Sequence, residues 1–389
     1  MFRLASSLFL AQIGFHAFIA SLPLALLAAG RDDAEIGAIM GIAALTMIPA
    51  GLVAGGLIDH LGGRAIFLVG TACFLLAAAL LATGIVSPAG ALAGLVLVRV
   101  LQGIGLASCQ PSALSLVPGL VPAARVGTAL AVVGVAANIS LAIAPPVSLA
   151  ILDASSLQAV AVATLVCVAG AAWLTWPAAH ADRASRAATA ADRPRTFRPA
   201  WRAAWLAPLL ISMLYVAHWG VVTGYLPQRA EEAGADVGLF FAADAVALLI
   251  LRVPSGYLAG RLGSRGLILA GVGVTAVALA VLLPVPSTPA LVVAGLGTGA
   301  GGALILPPVL LELSNRSSDA DRGSAFALFS VAFSLGIAAG SIGFAPLIET
   351  VGFEVALTCG LVALLAAGAI TLLDPSFRPA PPLAAEGSA

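Results

Sequence analysis

Twelve apolar runs of about 20 residues follow one another along the sequence, and they restrict the chain to one kind of fold. A helix of about 20 mostly apolar residues crosses the hydrocarbon core of a bilayer and satisfies its own backbone hydrogen bonds there. The chain is 61% hydrophobic and 9% charged, against about 25% charged residues in a soluble domain. We therefore predict an all-α polytopic membrane protein with spans at 4–29, 35–58, 65–86, 89–112, 124–150, 157–177, 203–228, 236–259, 266–284, 289–311, 323–347 and 353–373.

One polar segment separates these runs into two groups of six. Residues 178–202 carry six arginines and two aspartates and are interpreted as a cytoplasmic linker. The predicted domains are an N-terminal six-helix bundle at 1–177 and a C-terminal six-helix bundle at 203–374. The tail at 375–389 is rich in proline and alanine and is expected to be disordered.

The arginines are distributed unevenly between the two sides of the predicted bundle. With a cytoplasmic N-terminus, only Arg31 and Arg229 fall on the outer side, each beside acidic residues. Fourteen fall on the inner side, namely Arg3, Arg64, Arg125, the six in the linker, Arg261, Arg265, Arg316, Arg322 and Arg378. Because cytoplasmic loops carry an excess of basic residues, both termini and the linker are predicted to be cytoplasmic.

A ten-residue segment between the second and third runs recurs in the second half of the chain. Residues 55–64 read GGLIDHLGGR, and residues 256–265 read GYLAGRLGSR. A second pair lies at the start of the fifth and eleventh runs, where Arg125 and Arg322 precede small residues. Two tandem six-helix units of one topology are therefore predicted. A parallel repeat of this kind places a substrate cavity between the halves near the middle of the membrane.

Two motifs in the first half carry a family resemblance. The loop signature G-x-L-x-D-x-x-G-x-R is met by Gly55, Leu57, Asp59, Gly62 and Arg64. Residues 99–107 read RVLQGIGLA and match R-x-x-Q-G-x-G-x-A at every defined position. On these motifs the chain resembles the major facilitator superfamily over essentially its full length. The resemblance implies a multi-pass secondary transporter of the bacterial inner membrane, in which two pseudo-symmetric six-helix bundles alternate access to a small organic solute.

Three ionisable side chains are expected inside the membrane, where a charge costs about 2.5–3.5 kcal/mol on insertion scales and is a functional candidate. For Arg99 the resemblance implies a role in proton coupling, and a structural bridge between helices 1, 4 and 5 is the alternative. Asp244 and Arg252 lie eight residues apart on the eighth span, which is about 12 Å along one face. Asp244 is the predicted proton-binding group, with a static interhelical pair as the alternative.

Five further polar side chains are predicted to line the cavity or to contact Arg99. Gln12 and His16 share a helical face because they are four residues apart. They are predicted partners of Arg99 together with Gln102 and Asn138, because the first half has no carboxylate within a span. His218, on the seventh span, is predicted to line the cavity of the second half rather than to relay protons.

The repeated hairpins are predicted to form a gate at the cytoplasmic side. A helix N-terminus attracts anions, so Asp59 is expected to contact the start of the eleventh helix at Arg322. The gating set comprises the loop motif Gly55, Leu57, Asp59, Gly62 and Arg64 with Arg125, Arg261, Arg265 and Arg322. The alternative is a hairpin that only fixes topology.

The leading functional hypothesis is proton-coupled efflux by antiport. It depends on the apolar, sparsely charged interior and on a resemblance to drug-efflux and metabolite-efflux members of the family. The exporter signature of the fifth helix, G-x-x-x-G-P-x-x-G-G, is reduced here to Ala144-Pro145-Pro146, which weakens antiport relative to symport. Arg99 and Arg252 together favour the alternative, proton-symport uptake of a small anionic metabolite. A non-transporting membrane receptor is the alternative from another class.

An enzyme is not predicted, because the sequence offers no convergent nucleophile and base and no metal-ligand spacing. The four cysteines Cys73, Cys109, Cys167 and Cys359 lie far apart within apolar runs. No cofactor and no metal site are expected, and the zero net charge gives no support to a nucleic-acid partner. The expected partners are a small-molecule substrate, protons and the lipid bilayer, and the chain is expected to be a monomer.

Overall fold

The computed structural model describes residues 2–122, 126–175, 202–284, 286–317 and 322–377, and within them the chain is helical without strands. The first half contains α1 (Phe2–His16 and Phe18–Ala28, interrupted at Ala17), α2 (Asp33–Leu61), α3 (Gly63–Ala82), α4 (Leu92–Leu116), α5 (Val126–Ala154) and α6 (Leu157–Thr175). The second half contains α7 (Leu206–Glu232), α8 (237–262), α9 (Gly263–Val281), α10 (Thr288–Asn315), α11 (Arg322–Ala338, extended by a π-helical turn Ala339–Gly343 and by Ala345–Val351) and α12 (Phe353–Leu373).

Eleven segments in the described part of the chain are long and apolar enough to cross a membrane. The helix outside that set is α8, which carries Asp244 and Arg252. The predicted all-α polytopic fold is confirmed. The predicted linker at 178–202 lies outside the described residues except for Arg202.

Each half repeats the same pattern of helix packing. In the first half α1 packs on α5 and α6, α2 packs on α4, and α3 packs on α4 and α6. In the second half α7 packs on α11 and α12, α8 and α9 pack on α10, and α9 also packs on α12. The halves meet where α2 packs on α11 and where α5 packs on α8. This arrangement agrees with two tandem units of one topology.

The two hairpins that recur in the sequence each make their turn at a glycine with a positive φ angle. Gly62 has φ 92° and ψ 154°, and its counterpart Gly263 has φ 71° and ψ 160°. This region of backbone conformation is essentially restricted to glycine, so the glycine of the signature is required for the turn. The chain kinks at Gly263 for the same reason, and α8 ends and α9 begins there.

Glycines of the fourth-helix signature bring α4 against α2. A Cβ added at Gly103 would lie 2.6 Å from the carbonyl oxygen of Ala43 on α2. The second half repeats the contact, since a Cβ at Gly299 on α10 would lie 2.7 Å from the carbonyl carbon of Asp244 on α8. The crossing of α10 over α8 therefore fixes Asp244 at the middle of the second half.

The two halves are in contact at one end of the molecule and apart at the other. Residues 36–44 of α2 are buried or half-buried, whereas most of 52–61 is exposed. The exposed end lies with the arginines assigned to the inner side, and we name it the arginine-rich side. Within the described chain, no other helix packs closely on the Gly51-x-x-x-Gly55 pair of α2 in this conformation, because a Cβ at either glycine would meet no atom within 4 Å.

The start of the predicted tail is ordered. Pro375–Phe377 form a short 3₁₀ turn, and Phe377 is buried under Arg316, whose guanidinium carbon lies 4.5 Å from the ring centroid. Arg316 also donates a hydrogen bond of 3.1 Å to the carboxylate of Asp374. The expectation of disorder from residue 375 is therefore wrong for these three residues, and 378–389 lie outside the described residues.

Candidate functional site

Two adjoining cavities lie between the halves at the middle of the helices. The first compartment, of about 230 Å³, is lined mainly by α1, α2, α4 and α5. The second compartment, of about 200 Å³, is lined mainly by α7, α8 and α10. The residues that line both are Asn138, Leu141, Trp219 and Phe333. A single central site with one compartment in each half follows from this geometry.

Arg99 lies in the wall of the first compartment and is 2% exposed. Its Nη2 donates to the carbonyl oxygen of Met40 over 2.7 Å, and its Nε donates to that of Ile39 over 3.3 Å. Its Nη1 donates to Oε1 of Gln102 over 2.7 Å. Its guanidinium carbon also lies 5.1 Å from the ring centroid of Phe15. Arg99 therefore ties α4 to the backbone of α2.

The predicted partners of Arg99 are placed differently from one another. Gln102 contacts it, and its Nε2 also donates to the carbonyl oxygen of Gly14 over 3.4 Å. His16 lines the first compartment and shares a 3.1 Å hydrogen bond with the Ser140 hydroxyl instead. Gln12 and Asn138 line the same compartment but make no hydrogen bond to Arg99. The alternative given for Arg99, a bridge between helices 1, 4 and 5, is therefore met only in part: Arg99 contacts α1 through the Phe15 ring, and its backbone hydrogen bonds go to α2.

Asp244 lies in the wall of the second compartment and is 5% exposed. Its Oδ1 accepts a hydrogen bond of 2.7 Å from the hydroxyl of Thr298 on α10. No cation lies within ion-pair distance of it among the described residues. Arg252 lines the same compartment two helical turns away, and its exposed guanidinium makes no hydrogen bond within the described chain. A buried carboxylate and an unpaired guanidinium therefore share one cavity.

His218 does not line either compartment. Its Nδ1 contacts the carbonyl oxygen of Tyr215, and its ring packs edge-on against the Tyr215 ring at 5.1 Å. On its other side α12 approaches closely, because a Cβ at Gly360 would lie 3.2 Å from the Cβ of His218. The prediction that His218 lines the cavity is therefore wrong for this conformation, since the side chain is held in the α7–α12 packing.

An aromatic group forms the boundary between the compartments. Trp219 lines both, and its ring lies 6.1 Å from Phe241 and 6.4 Å from Phe240. Phe240 and Phe241 are fully buried and pack edge to face at 5.4 Å. Phe333 of α11 lines both compartments as well. An apolar part of a bound molecule would lie at this boundary.

The predicted gating residues that the structure describes lie at the arginine-rich side, away from the cavity. Gly55 and Leu57 are exposed on the end of α2. Arg64 begins α3 half-buried, and Arg265 donates to the carbonyl oxygen of Leu372 over 2.7 Å. The side chains Asp59, Arg261 and Arg322 and the whole of Arg125 lie outside what the structure describes. The predicted contact between Asp59 and the start of α11 therefore stays a prediction.

Sequence reasoning missed three polar residues of the cavity wall: Gln110, Thr223 and Thr298. The helical period could have predicted Gln110, because it lies eleven residues, or about three turns, beyond Arg99 and therefore on the same face of α4. The second-half segment Thr298-Gly299-Ala300-Gly301 also follows the pattern of Gln102-Gly103-Ile104-Gly105. That internal repeat would have placed Thr298 where Gln102 lies.

The side chains of the cavity wall are suited to hydrogen bonding and to holding charge. The described residues hold no group of three or more His, Cys, Asp or Glu side chains that could bind a metal ion. Asp244 is the acid in the cavity wall, and Thr298 is its hydrogen-bond partner. Such a carboxylate can bind and release a proton when the cavity gains or loses water. These features define a polytopic membrane protein with a solute cavity between two repeated bundles.

The family model of the Major Facilitator Superfamily matches residues 4–243 and 219–388. The chain therefore belongs to the Major Facilitator Superfamily, as its sequence motifs predicted. No curated protein sequence matches the chain significantly.

Solved structures of transporters share the fold. A point mutant of the nucleoside transporter NupG is similar with a TM-score of 0.77 and 12% identity, over 97% of this chain and 99% of that one. The peptide transporter POT in complex with sulfate is similar with a TM-score of 0.76 and 15% identity, over 95% of this chain and 93% of that one. A D-xylose–proton symporter is similar with a TM-score of 0.74 and 18% identity, over 94% of this chain and 96% of that one. At these identities the likeness shows the fold, which is that of membrane transporters.

Proposed function

We propose that the protein is a secondary active transporter that moves a small organic solute across the bacterial inner membrane and couples this movement to protons. The arginine-rich side is proposed to face the cytoplasm, because positive charge is retained there. The solute is proposed to bind in the two central compartments.

The proposal depends mainly on the position of Asp244 in the cavity wall. A carboxylate inside a membrane protein is costly unless it faces a partner or water, and this one is held at the cavity by Thr298 without a cation at ion-pair distance in the described chain. Since no fixed positive charge neutralises it, a proton is the remaining neutralising partner. Arg252, about 12 Å along the same helix, is proposed to tune the proton affinity of Asp244 and to orient the solute.

Alternating access is supported by the asymmetry between the two ends of the molecule. The halves are closed at the end where α2 begins and separated at the arginine-rich side. We propose that the opposite conformation closes the arginine-rich side through the repeated hairpins, with Asp59, Arg64 and Arg265 as gate residues. Arg99 is proposed to transmit solute binding to this movement, because it holds the backbone of α2 at Ile39 and Met40.

The direction of transport is proposed from the cavity lining. Efflux was expected from an apolar interior, and most of the lining surface is apolar, but amides, hydroxyls and charged groups also lie in the walls of both compartments. This lining suits a hydrogen-bonding solute, and a D-xylose–proton symporter is among the proteins of similar structure. We therefore place proton-symport uptake first. Efflux by antiport is the second candidate, favoured by the aromatic boundary around Trp219 and Phe333.

Solute-dependent proton movement tests this proposal. Purified protein is reconstituted into liposomes that enclose the pH-sensitive dye pyranine, and D-xylose, uridine, a dipeptide, malate or tetraphenylphosphonium is added outside. Symport of a solute acidifies the lumen, whereas antiport makes it alkaline. Protein-free liposomes control for passive permeation. Binding of a solute without any pH change, in either direction, would favour the receptor hypothesis and contradict proton-coupled transport.

A further inference from the structure

Three primary amides line the first compartment without a hydrogen-bond partner in the described protein. They are Gln12 on α1, Gln110 on α4 and Asn138 on α5. Gln12 is 2% exposed, and its Oε1 is buried with no donor within reach. A buried polar atom without a partner is destabilising, and a ligand that donates a hydrogen bond to the Gln12 oxygen would remove that cost. The other two amides line the same space.

The charged and imidazole groups of this compartment are partly engaged by the protein. Arg99 donates three hydrogen bonds to Ile39, Met40 and Gln102 and presents little surface to the cavity. His16 is bonded to Ser140. The lining residues of this compartment include no carboxylate. Most of its free hydrogen-bonding capacity is therefore that of the neutral amides, each of which offers one acceptor oxygen and two N–H donors, together with Nε2 of His16 and the hydroxyl oxygen of Thr223.

We propose that the first compartment binds an uncharged group that carries both hydrogen-bond donors and acceptors, such as the hydroxyls of a sugar or an amide. This inference deepens the proposed function, since it names the class of solute that the transporter takes. A cavity of about 150 Å³ holds benzene, so the compartment of about 230 Å³ holds one substituted ring. Asn138 lines both compartments, so it contacts the solute where a second part continues toward Asp244.

The proposal places a neutral solute ahead of the anionic one that Arg99 and Arg252 suggested from the sequence. Arg99 uses three of its five N–H donors on Ile39, Met40 and Gln102 and is 2% exposed, so it presents little of its guanidinium to an anion in the first compartment. Arg252 is free but lies in the second compartment beside the carboxylate of Asp244. A neutral group in the first compartment satisfies the three amides without displacing Arg99 from α2.

Ligand-dependent thermal stability in detergent tests this inference without a membrane gradient. The neutral probes are D-xylose, uridine and N-acetylglucosamine, the anionic probes are malate and uridine monophosphate, and the cationic probe is tetraphenylphosphonium. A ligand that binds the folded state raises the melting temperature according to its concentration and affinity. We expect stabilisation by at least one neutral probe. Uridine and its monophosphate form a matched pair, and we expect the phosphate to weaken binding.

Three variants test the amides directly: Gln12→Leu, Gln110→Leu and Asn138→Leu. Each should require roughly tenfold or more of the neutral probe to give the same stabilisation, because a hydrogen bond to the solute is lost. Gln228→Leu is the matched control, since Gln228 is a buried glutamine on α7 that lines neither compartment. It should leave the response to the probe unchanged.

The unliganded melting temperature separates a binding role from a structural one. Gln12 has no partner to lose, so Gln12→Leu should melt at or above the temperature of the wild type without ligand. A marked fall would instead indicate a structural role and overturn the assignment. Stabilisation by anions or by the cation alone, no stabilisation by any neutral probe, or a neutral response undiminished in all three variants would also overturn it. None of these results depends on proton coupling. The thermal assay therefore tests the class of solute, and the pyranine assay tests the proposed proton-coupled transport independently of it.

Discussion

Gly37→Ala should shift the protein away from the conformation described here. Gly37, on α2, lies at the closed end of the molecule, where Tyr225 of α7 donates a hydrogen bond to the carbonyl oxygen of Ser341 on α11. A Cβ at Gly37 would lie 2.7 Å from that oxygen and would overlap the Tyr225 ring. The contact between the halves at this end therefore depends on the absence of a side chain.

The size of the effect follows from the geometry. The oxygen of Ser341 would be about 0.7 Å inside the 3.4 Å of an ordinary contact, and the fully buried backbone and ring around it leave little room to move. Overpacking of this kind costs about 1–3 kcal/mol. Because the clash exists only while this end is closed, the population of the closed-end conformation should fall by about 5-fold to 150-fold relative to the other.

Distances between spin labels measure this shift. In a protein whose native cysteines have been replaced, one label pair at Leu120 and Asn315 reports on the arginine-rich side. A second pair at Ile85 and Glu231 reports on the opposite side, and all four positions are exposed. In Gly37→Ala the first distance should shorten and the second should lengthen.

The matched control lies on the same helix. Gly51→Ala adds the same methyl group to α2 at a position where a Cβ would meet nothing within 4 Å. It should leave both distance distributions as in the wild type. If Gly37→Ala behaved like Gly51→Ala, the close contact at this end would not control the conformational equilibrium and the reasoning would be refuted.

Three further predictions concern stability, and each is checked by the melting temperature of the purified protein. Arg99→Lys should destabilise by about 1.5–3 kcal/mol, because one ammonium cannot span the three acceptors that the guanidinium holds; a wild-type melting temperature would contradict this. Gly299→Ala should destabilise by at least about 1–3 kcal/mol through its clash with α8. Gly273→Ala is the control and should not destabilise the protein, because a Cβ there would meet nothing within 4 Å. Equal falls in melting temperature for the two variants would contradict the explanation by a clash with α8. Phe377→Ala should cost about 3 kcal/mol because it empties the site under Arg316, and an unchanged melting temperature would show that this turn contributes nothing.

The sequence predicted those parts of the fold that depend on one-dimensional patterns. The length of the apolar runs predicted the helices. The repeated hairpins predicted the two equivalent halves, because the turn at Gly62 and at Gly263 requires glycine and therefore appears in the sequence. Arg99, Asp244 and Arg252 were recognised because an ionisable residue inside an apolar run is conspicuous. All three line the central compartments.

The contacts within the site could not be predicted in the same way. Arg99 binds backbone carbonyls of α2, and a backbone acceptor has no signature in the sequence. His218 was placed in the cavity because it is polar, but its side of α7 is set by the close approach of Gly360, which depends on the rotation of the helix. Which end of the molecule is closed is a property of one conformation, and both conformations share one sequence.

The most direct test of proton coupling through Asp244 compares two transport modes of one variant. Asp244→Asn imitates the protonated carboxyl group and keeps a partner for Thr298. With a solute identified in the pyranine assay, the variant should retain equilibrium exchange of labelled solute across liposomes, which requires no net proton movement. It should lose accumulation driven by a proton gradient. Gradient-driven accumulation by Asp244→Asn at the rate of the wild type would contradict the account.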